Sequence, residues 1–176
     1  MADEKIQLES LFSLTYGMYI VSTAYEGKLN GQIANAVMQI TAEPICIAAA
    51  MHKDNLTTTL VEKSGIMGIS VLEEDVPMTF IGNFGFRSGR SIDKFCDCEY
   101  ITGELGTPLV IDHCLAVVEA KVINIMEVYT HKLVVGEVVM ARALKEGGTP
   151  LTYSNYHLIK RGKSPKNAPT VVFNAL

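Results

Sequence analysis

The stretch GQIANAVMQITAEPICIAAAMHKDNLTTTLVEKSG, from Gly31 to Gly65, organises the rest of the chain. It contains two apolar, β-rich runs that are separated by a turn at Glu43-Pro44, and an amphipathic helix follows them. Gly65 can adopt the left-handed conformation that commonly ends a helix. The pattern predicts two strands and then a helix, over Gln32–Thr41, Ile45–Met51 and Asn55–Gly65.

The start of this helix allows two interpretations. The segment His52–Thr59 places a cation, an amide and hydroxyls where a helix offers unpaired N–H groups, which suits a phosphate. Alternatively, Asp54 or Asn55 is an ordinary N-cap and the other polar side chains are solvated. The carboxylate of Asp54 opposes a bound anion unless it points away. Both interpretations remain open here, and simple caps are the more common.

Composition limits the class of protein. The chain has 176 residues, enough for one domain with a sizeable core, and 48% of them are hydrophobic. The mean hydropathy of +0.23 is high for a protein without a membrane helix, and no apolar run approaches the roughly 20 residues of such a helix. The excess apolar surface therefore predicts a subunit interface. A net charge of −4 with only 15 Lys and Arg argues against nucleic acid. The segment Met1–Lys5 lacks the pattern of a secretion signal, so we expect a cytoplasmic protein.

The remaining sequence is mainly strand-like. Alternating and β-branched runs predict further strands over Met18–Tyr25, Ile66–Leu72, Ala116–Met126 and Leu133–Leu144. Met18–Tyr25 is expected to pair with Gln32–Thr41, and Tyr129–Lys132 to form a hairpin turn. Short helices are predicted over Ile6–Leu14 and from Asp75, as N-cap, to about Phe84, whereas Lys160–Ala168 has the composition of a linker. Five to seven strands with peripheral helices indicate a mainly β fold, a closed antiparallel barrel.

A second loop could also hold an anion. The segment Phe84–Phe95, FGFRSGRSIDKF, contains three cations, two serines and two glycines. Backbone N–H groups of such a loop can surround a phosphate, although its glycine spacing matches neither a P-loop nor a dinucleotide motif. A solvated connection between two elements explains the composition equally well.

Other catalytic machinery is missing from the sequence. There is no nucleophile elbow or zinc-binding motif, and the four cysteines lack paired C-x-x-C spacing, so free thiols are expected rather than a metal site. His131 could donate a proton into a pocket or could be a surface histidine. A chain with two loops suited to anions and no hydrolytic residues is typical of a cofactor-dependent protein.

Five motifs resemble the flavin reductase-like FMN-binding split-barrel family and occur in its order. They are YGMYIVST at 16–23, NGQIANAVMQITAEP at 30–44, HKDNLT at 52–57, FGFRSGRSIDKF at 84–95 and HKLVVGEV at 131–138. The resemblance covers about residues 8–170, so we expect a single domain over 1–170 and a short tail over 171–176. One position departs from the family pattern, because Ser91 stands where an acidic residue is usual.

The resemblance implies a homodimeric split barrel that binds FMN without a covalent bond. It places the isoalloxazine ring along residues 35–39, the phosphate at the two loops, and the nicotinamide near His131, the candidate catalytic residue. The candidate cofactor-binding residues are Ser22, Thr23, Asn35, Ala36, Val37, Met38, Gln39, His52, Lys53, Asn55, Thr57, Thr58, Ser88, Arg90 and Lys94. Either the segment Lys53–Thr58 or the segment Ser88–Lys94 could dominate phosphate binding.

The implied activity is NAD(P)H-dependent flavin reduction. A hydride would pass from NADH or NADPH to FMN N5, and the electrons would pass onward to a protein acceptor or free flavin. Some members of the family continue into a rubredoxin domain with paired C-x-x-C knuckles, which are missing here, so a rubredoxin-like acceptor would be a separate protein. The alternatives are an FMN electron carrier that a partner protein reduces, and a non-enzymatic barrel that binds another ligand such as heme.

Overall fold

The computed structural model describes residues 6–170 and consists mainly of β-strands. A 3₁₀-helix over Leu8–Ser13 precedes nine strands and three α-helices. The strands are β1 (Tyr19–Tyr25), β2 (Lys28–Ala34), β3 (Val37–Ala42), β4 (Ile45–His52), β5 (Ile66–Leu72), β6 (Tyr100–Thr102), β7 (Pro108–Val110), β8 (Cys114–Val128) and β9 (His131–Ala143). The helices are α1 (Leu56–Ser64), α2 (Met78–Gly85) and α3 (Tyr153–Leu158).

Seven strands form one antiparallel sheet that curls into a barrel. Its order is β2-β1-β5-β8-β9-β4-β3, whereas β6 and β7 pair separately. The outer strands β2 and β3 are separated in sequence by Asn35 and Ala36 alone, so the two ends of the sheet must approach each other. The Ala50 amide donates to the Ala36 carbonyl at 2.9 Å at this junction. No ladder joins β2 to β3 among the described strands, which makes the barrel a split one.

The core lies on both faces of the sheet because successive strand residues point to opposite sides. Val21, Met67 and Val134 belong to a cluster inside the barrel, and Val61 of α1 packs into it. Ile20 and Leu72 belong to a second cluster outside the barrel, under α2, α3 and the β6–β7 pair. Both faces are covered at β1 and β5, because each of these strands has four consecutive buried residues.

The mainly β fold predicted from the sequence is confirmed, and so are two details. Strand β5 has the predicted bounds, and Gly65 ends α1 with φ of 69°. The structure also shows that Gly136 lies against β8, since a Cβ there would be 2.8 Å from the Cβ of Ala120. A bulge beside it at Ile123 shifts the register of β8 and β9.

Four predicted details are wrong. Gln32–Thr41 is not one strand, because Asn35 and Ala36 divide it between β2, which pairs with β1, and β3, which pairs with β4. Asp75 does not cap α2, whose N-cap position is Pro77. His131 lies in β9 rather than in the turn. The segment Lys160–Ala168 is not a free linker but packs against the barrel, as described below. The expected tail 171–176 lies outside the described residues, and the domain bounds 1–170 stay a prediction.

Candidate functional site

A cavity of about 410 Å³ opens beside β2 and is large enough for a cofactor. Asn30, Gln32 and Ala34 alternate along β2 and form one wall. The first turn of α1, the loop that follows α2 and the segment 165–169 complete the enclosure. The two segments that could each hold an anion on sequence grounds therefore belong to the same cavity.

The charge of this cavity is positive although the protein is acidic overall. Asp54 is the only acidic side chain among the described residues that line it, and its carboxylate is 85% exposed and so points to solvent. The lining cations are Arg87, Arg90, Lys94 and Lys166. Four cations against one outward carboxylate attract an anionic ligand in a protein whose net charge is −4.

Lys94 supplies a buried cation. Its Nζ donates to the carbonyl oxygens of Gly31 at 2.8 Å and Phe84 at 2.9 Å, so the lysine ties β2 to the end of α2. Burial lowers the pKa of Lys94 to about 8 because the charged form loses hydration. An anion in the cavity would favour the charged form.

The two anion-capable segments touch each other. The guanidinium of Arg90 donates to the backbone carbonyl of Asp54 from both terminal nitrogens, at 3.3 Å each. The Arg90 amide donates to Ser88 Oγ at 3.2 Å, which shapes the loop. The hydroxyl oxygen of Thr57, in the first turn of α1, accepts from Asn30 Nδ2 at 2.9 Å. Backbone and side-chain donors therefore converge from α1 and from the loop.

Seven of the predicted cofactor-binding residues line the cavity, and their binding role stays a prediction. They are Asn35, His52, Asn55, Thr57, Ser88, Arg90 and Lys94. The other eight do not line it, and they are Ser22, Thr23, Ala36, Val37, Met38, Gln39, Lys53 and Thr58.

The residues outside the cavity have other contacts. Lys53 Nζ donates to Glu127 Oε2 at 2.9 Å on the surface, so this cation is directed to β8 instead of the cavity. Thr58 donates to the His52 carbonyl at 2.8 Å. Ser22 and Thr23 are buried in β1 and bond to backbone carbonyls of β7 and β5. Residues 36–39 run from the junction onto the outer strand β3, where Met38 is 60% exposed.

His131 lies beside the cavity wall rather than in it. Its ring meets the ring of His52 edge-on with centroids 5.0 Å apart, and its Nε2 donates to the Asn167 carbonyl at 3.3 Å. Burial lowers the pKa of His131, with the nearby His52 adding to the effect and the bond to Asn167 opposing it. The predicted proton-donor role of His131 stays a prediction.

The segment 163–170 forms a strap over the cavity that the sequence did not reveal. Its bonds include Tyr156 Oη to the Lys163 carbonyl at 2.9 Å and Asn167 Nδ2 to Asn55 Oδ1 at 3.0 Å. Asn35 Nδ2 donates to Thr170 Oγ1 at 3.2 Å. The proline content of this segment is typical of a linker. The partners in the last two bonds lie more than 100 residues away along the chain, so the neighbouring sequence does not predict the strap.

Two unpaired acceptors test whether a flavin fits. Asn30 Oδ1 and Gln32 Oε1 are buried on the cavity wall without a hydrogen-bond partner among the described residues. Buried amide oxygens are normally paired, so they call for a ligand or water that donates. A flavin offers donors in its ring N–H and ribityl hydroxyls and an acceptor in its phosphate. The polar wall and the cationic rim therefore fit FMN.

Other kinds of site receive no support within residues 6–170. No three His, Cys, Asp or Glu side chains converge there as a metal site would require. The four cysteines are free, and burial raises the pKa of the Cys114 thiol to about 12. In the same part of the chain, no helix is both long and apolar enough to cross a bilayer.

Fold and cavity together define a split β-barrel protein with a cavity for an anionic ligand. The chain belongs to the flavin reductase like domain family, whose sequence profile matches residues 11–160. The resemblance predicted from the motifs is therefore confirmed.

Similar proteins agree with this assignment. A ferric-chelate reductase (NAD(P)H) of Archaeoglobus fulgidus is 47% identical over 170 residues, which cover 97% of this chain and 99% of that protein. The high molecular weight rubredoxin of Moorella thermoacetica is 43% identical over 162 residues, 92% of this chain and 70% of that one. The solved structure of an NADH:FAD oxidoreductase of Streptomyces globisporus superposes with a TM-score of 0.75 at 21% identity, over 86% and 90% of the two chains. That last likeness shows the fold alone.

Proposed function

We propose that the protein is an FMN-binding oxidoreductase that uses NADH or NADPH and passes electrons to a protein acceptor or to free flavin. The observation that carries this proposal is the cavity with four lining cations and unpaired buried amide oxygens, in a chain of the flavin reductase like family. The relative of 47% identity bears the name of an NAD(P)H-dependent reductase, which supports a nicotinamide as the electron donor. The rubredoxin relative supports a rubredoxin-like acceptor.

The residues of this chain would bind and orient the cofactor. Thr57, Ser88 and Arg90 would hold the phosphate, and Lys94 would balance its charge from below. Asn35 and Gln32 would bond the polar edges of the ring or the ribityl chain. Bound FMN supplies the hydride-accepting chemistry, for which a protein needs binding groups and electrostatics rather than a nucleophile.

The strap would shield the cavity from water. Pro165 and Pro169 line the cavity mouth, and His131 holds the strap through the Asn167 carbonyl. In this arrangement the Nε2 proton of His131 is engaged by a backbone oxygen. His131 would therefore act as a proton donor only when the strap is displaced.

The proposal includes a homodimer in the cytoplasm. Large apolar side chains are exposed on β3, at the start of β4 and on β8, which is unusual for a monomer. They are Met38, Ile40, Ile45, Ile123 and Met126. Light scattering during size-exclusion chromatography tests the dimer, for which twice 19.2 kDa is expected and a mass of one chain would contradict it.

Anaerobic mixing tests the activity. The protein reconstituted with FMN should lose its flavin absorbance near 450 nm when NADH or NADPH is added, and should regain it with oxidised rubredoxin or free flavin. If neither nucleotide bleaches the flavin but a reduced electron-transfer protein does, the protein is an electron carrier. If FMN does not bind at all, the cofactor assignment is wrong.

A further inference from the structure

We propose that Asn30 is a positioning residue of the phosphate site. Its side chain makes the Thr57 hydroxyl donate its proton toward the cavity and supports the Ser88–Arg90 loop. The inference rests on the proposed function, because it takes the anion to be the FMN phosphate. Neither the motifs nor the family resemblance assigns a role to this asparagine. Its position follows from β2, where its backbone pairs with Thr23 of β1.

The hydrogen bond between Asn30 and Thr57 fixes the direction of the Thr57 hydroxyl. Asn30 and Thr57 are only 2% and 1% exposed, and their contact is a buried hydrogen bond of 2.9 Å. The amide nitrogen of asparagine can only donate, so the Thr57 oxygen accepts and its own proton must point elsewhere. That proton has no acceptor among the described residues, and Thr57 lines the cavity. The hydroxyl is therefore set to donate to a ligand that has acceptors only, as a phosphate dianion does.

The Ser88–Arg90 loop also approaches the Asn30 carboxamide closely. A Cβ added to Gly89 would lie 2.0 Å from Asn30 Oδ1 and 2.8 Å from its Cγ. The loop backbone thus rests directly on the carboxamide, and a side chain at position 89 would have to displace the loop or the carboxamide. One buried side chain therefore touches both parts of the anion site, the first turn of α1 and the loop Ser88–Arg90.

Asparagine is suited to this position for a chemical reason. A carboxylate in its place would accept the Thr57 proton, so the hydroxyl would no longer donate toward the cavity. It would also add a negative charge beside the bound phosphate. A leucine of similar size would leave the Thr57 oxygen without its donor. Both changes should damage phosphate binding more than ring binding.

The test compares FMN with riboflavin, which has the same ring and ribityl chain but lacks the phosphate. Flavin fluorescence titrations would be made on the wild type and on Asn30→Asp, Gly89→Ala and Gln7→Glu. We expect Asn30→Asp to weaken FMN binding at least about 30-fold and riboflavin binding less than about threefold, which is the range for disturbing hydrogen bonds to a charged group. Gly89→Ala should show the same selectivity, because its Cβ pushes the loop off Asn30. Gln7→Glu adds the same charge at an exposed residue outside the cavity lining and should change neither affinity.

The outcomes separate the inference from the proposed function. Equal weakening of FMN and riboflavin by both cavity variants, or no weakening by either, overturns the role of Asn30 while FMN binding itself stands. A wild type that binds neither flavin overturns the proposed function and the inference with it. If Asn30→Asp fails to fold, Gly89→Ala decides, since its loop is on the surface and its backbone φ is not positive. Thr57→Val in the Asn30→Asp background should add less than about twofold, because the two changes remove the same donor.

Discussion

The affinity for FMN should fall as the pH rises through the pKa of Lys94. Burial lowers the pKa of Lys94 to about 8, and the lysine lines the cavity, where its charge favours a phosphate. If the phosphate binds the charged form alone, raising the pH from 7 to 9 reduces the charged fraction enough to weaken binding about tenfold, or about 1.4 kcal/mol. Fluorescence titration of FMN at constant ionic strength measures this change directly.

Two comparisons make this prediction specific. Lys94→Met should bind FMN weakly at both pH values and lose the tenfold slope, while riboflavin should show no slope with the wild type. The folded-state pKa of Lys94 lies below the unfolded value of 10.5, so the unfolded chain binds more protons between about pH 8 and 10.5. The contribution of Lys94 to the free energy of unfolding therefore rises over that interval, and a loss of FMN affinity there would not come from unfolding through this group. A wild-type affinity that changes less than about threefold, or an unchanged slope in Lys94→Met, would refute the reasoning.

Further variants test the fold and the strap. Thr152→Ala removes the cap that accepts from the Asn155 amide and should lower the free energy of unfolding by about 1 kcal/mol in urea titrations, whereas no change would mean that the cap is unimportant. Met67→Ala should cost about 2–5 kcal/mol in the same assay, because its side chain is fully buried in the barrel; a smaller loss would indicate that the core collapses around it. His157→Phe keeps an aromatic ring but removes two bonds, from Nδ1 to the Gly162 carbonyl beside the strap and from the Ser164 hydroxyl of the strap to Nε2. Trypsin should then cleave the strap severalfold faster, and equal rates would show that His157 does not hold it. Met38→Asp should convert the proposed dimer into a monomer, and a retained dimer would place the interface elsewhere.

Local patterns were sufficient for most of the strands and for the helix that begins the site. The β-branched residues of Ile66–Leu72 and the glycine at the end of α1 each specify their element through neighbours in sequence. The two anion-capable loops were also visible, because hydroxyls, amides and cations at a helix start have a chemical meaning in themselves.

The errors arose where contacts distant in sequence decide the structure. Nothing local shows that Asn35 and Ala36 divide an apolar run, since the break exists to carry the chain from one edge of the sheet to the other. Likewise, Lys53 has the right composition for a phosphate ligand, but the acidic Glu127 of β8 lies beside it in the folded chain. The role of Asn30 required both Thr57 and Gly89 to be placed in space.

A crystal structure of the protein with FMN would show where the phosphate binds. We expect the phosphate in the cavity, within about 3 Å of the Thr57 hydroxyl and of donors in the Ser88–Arg90 loop. Lys53 should remain paired with Glu127. A phosphate bound by Lys53, with the cavity beside β2 empty of flavin, would contradict this expectation.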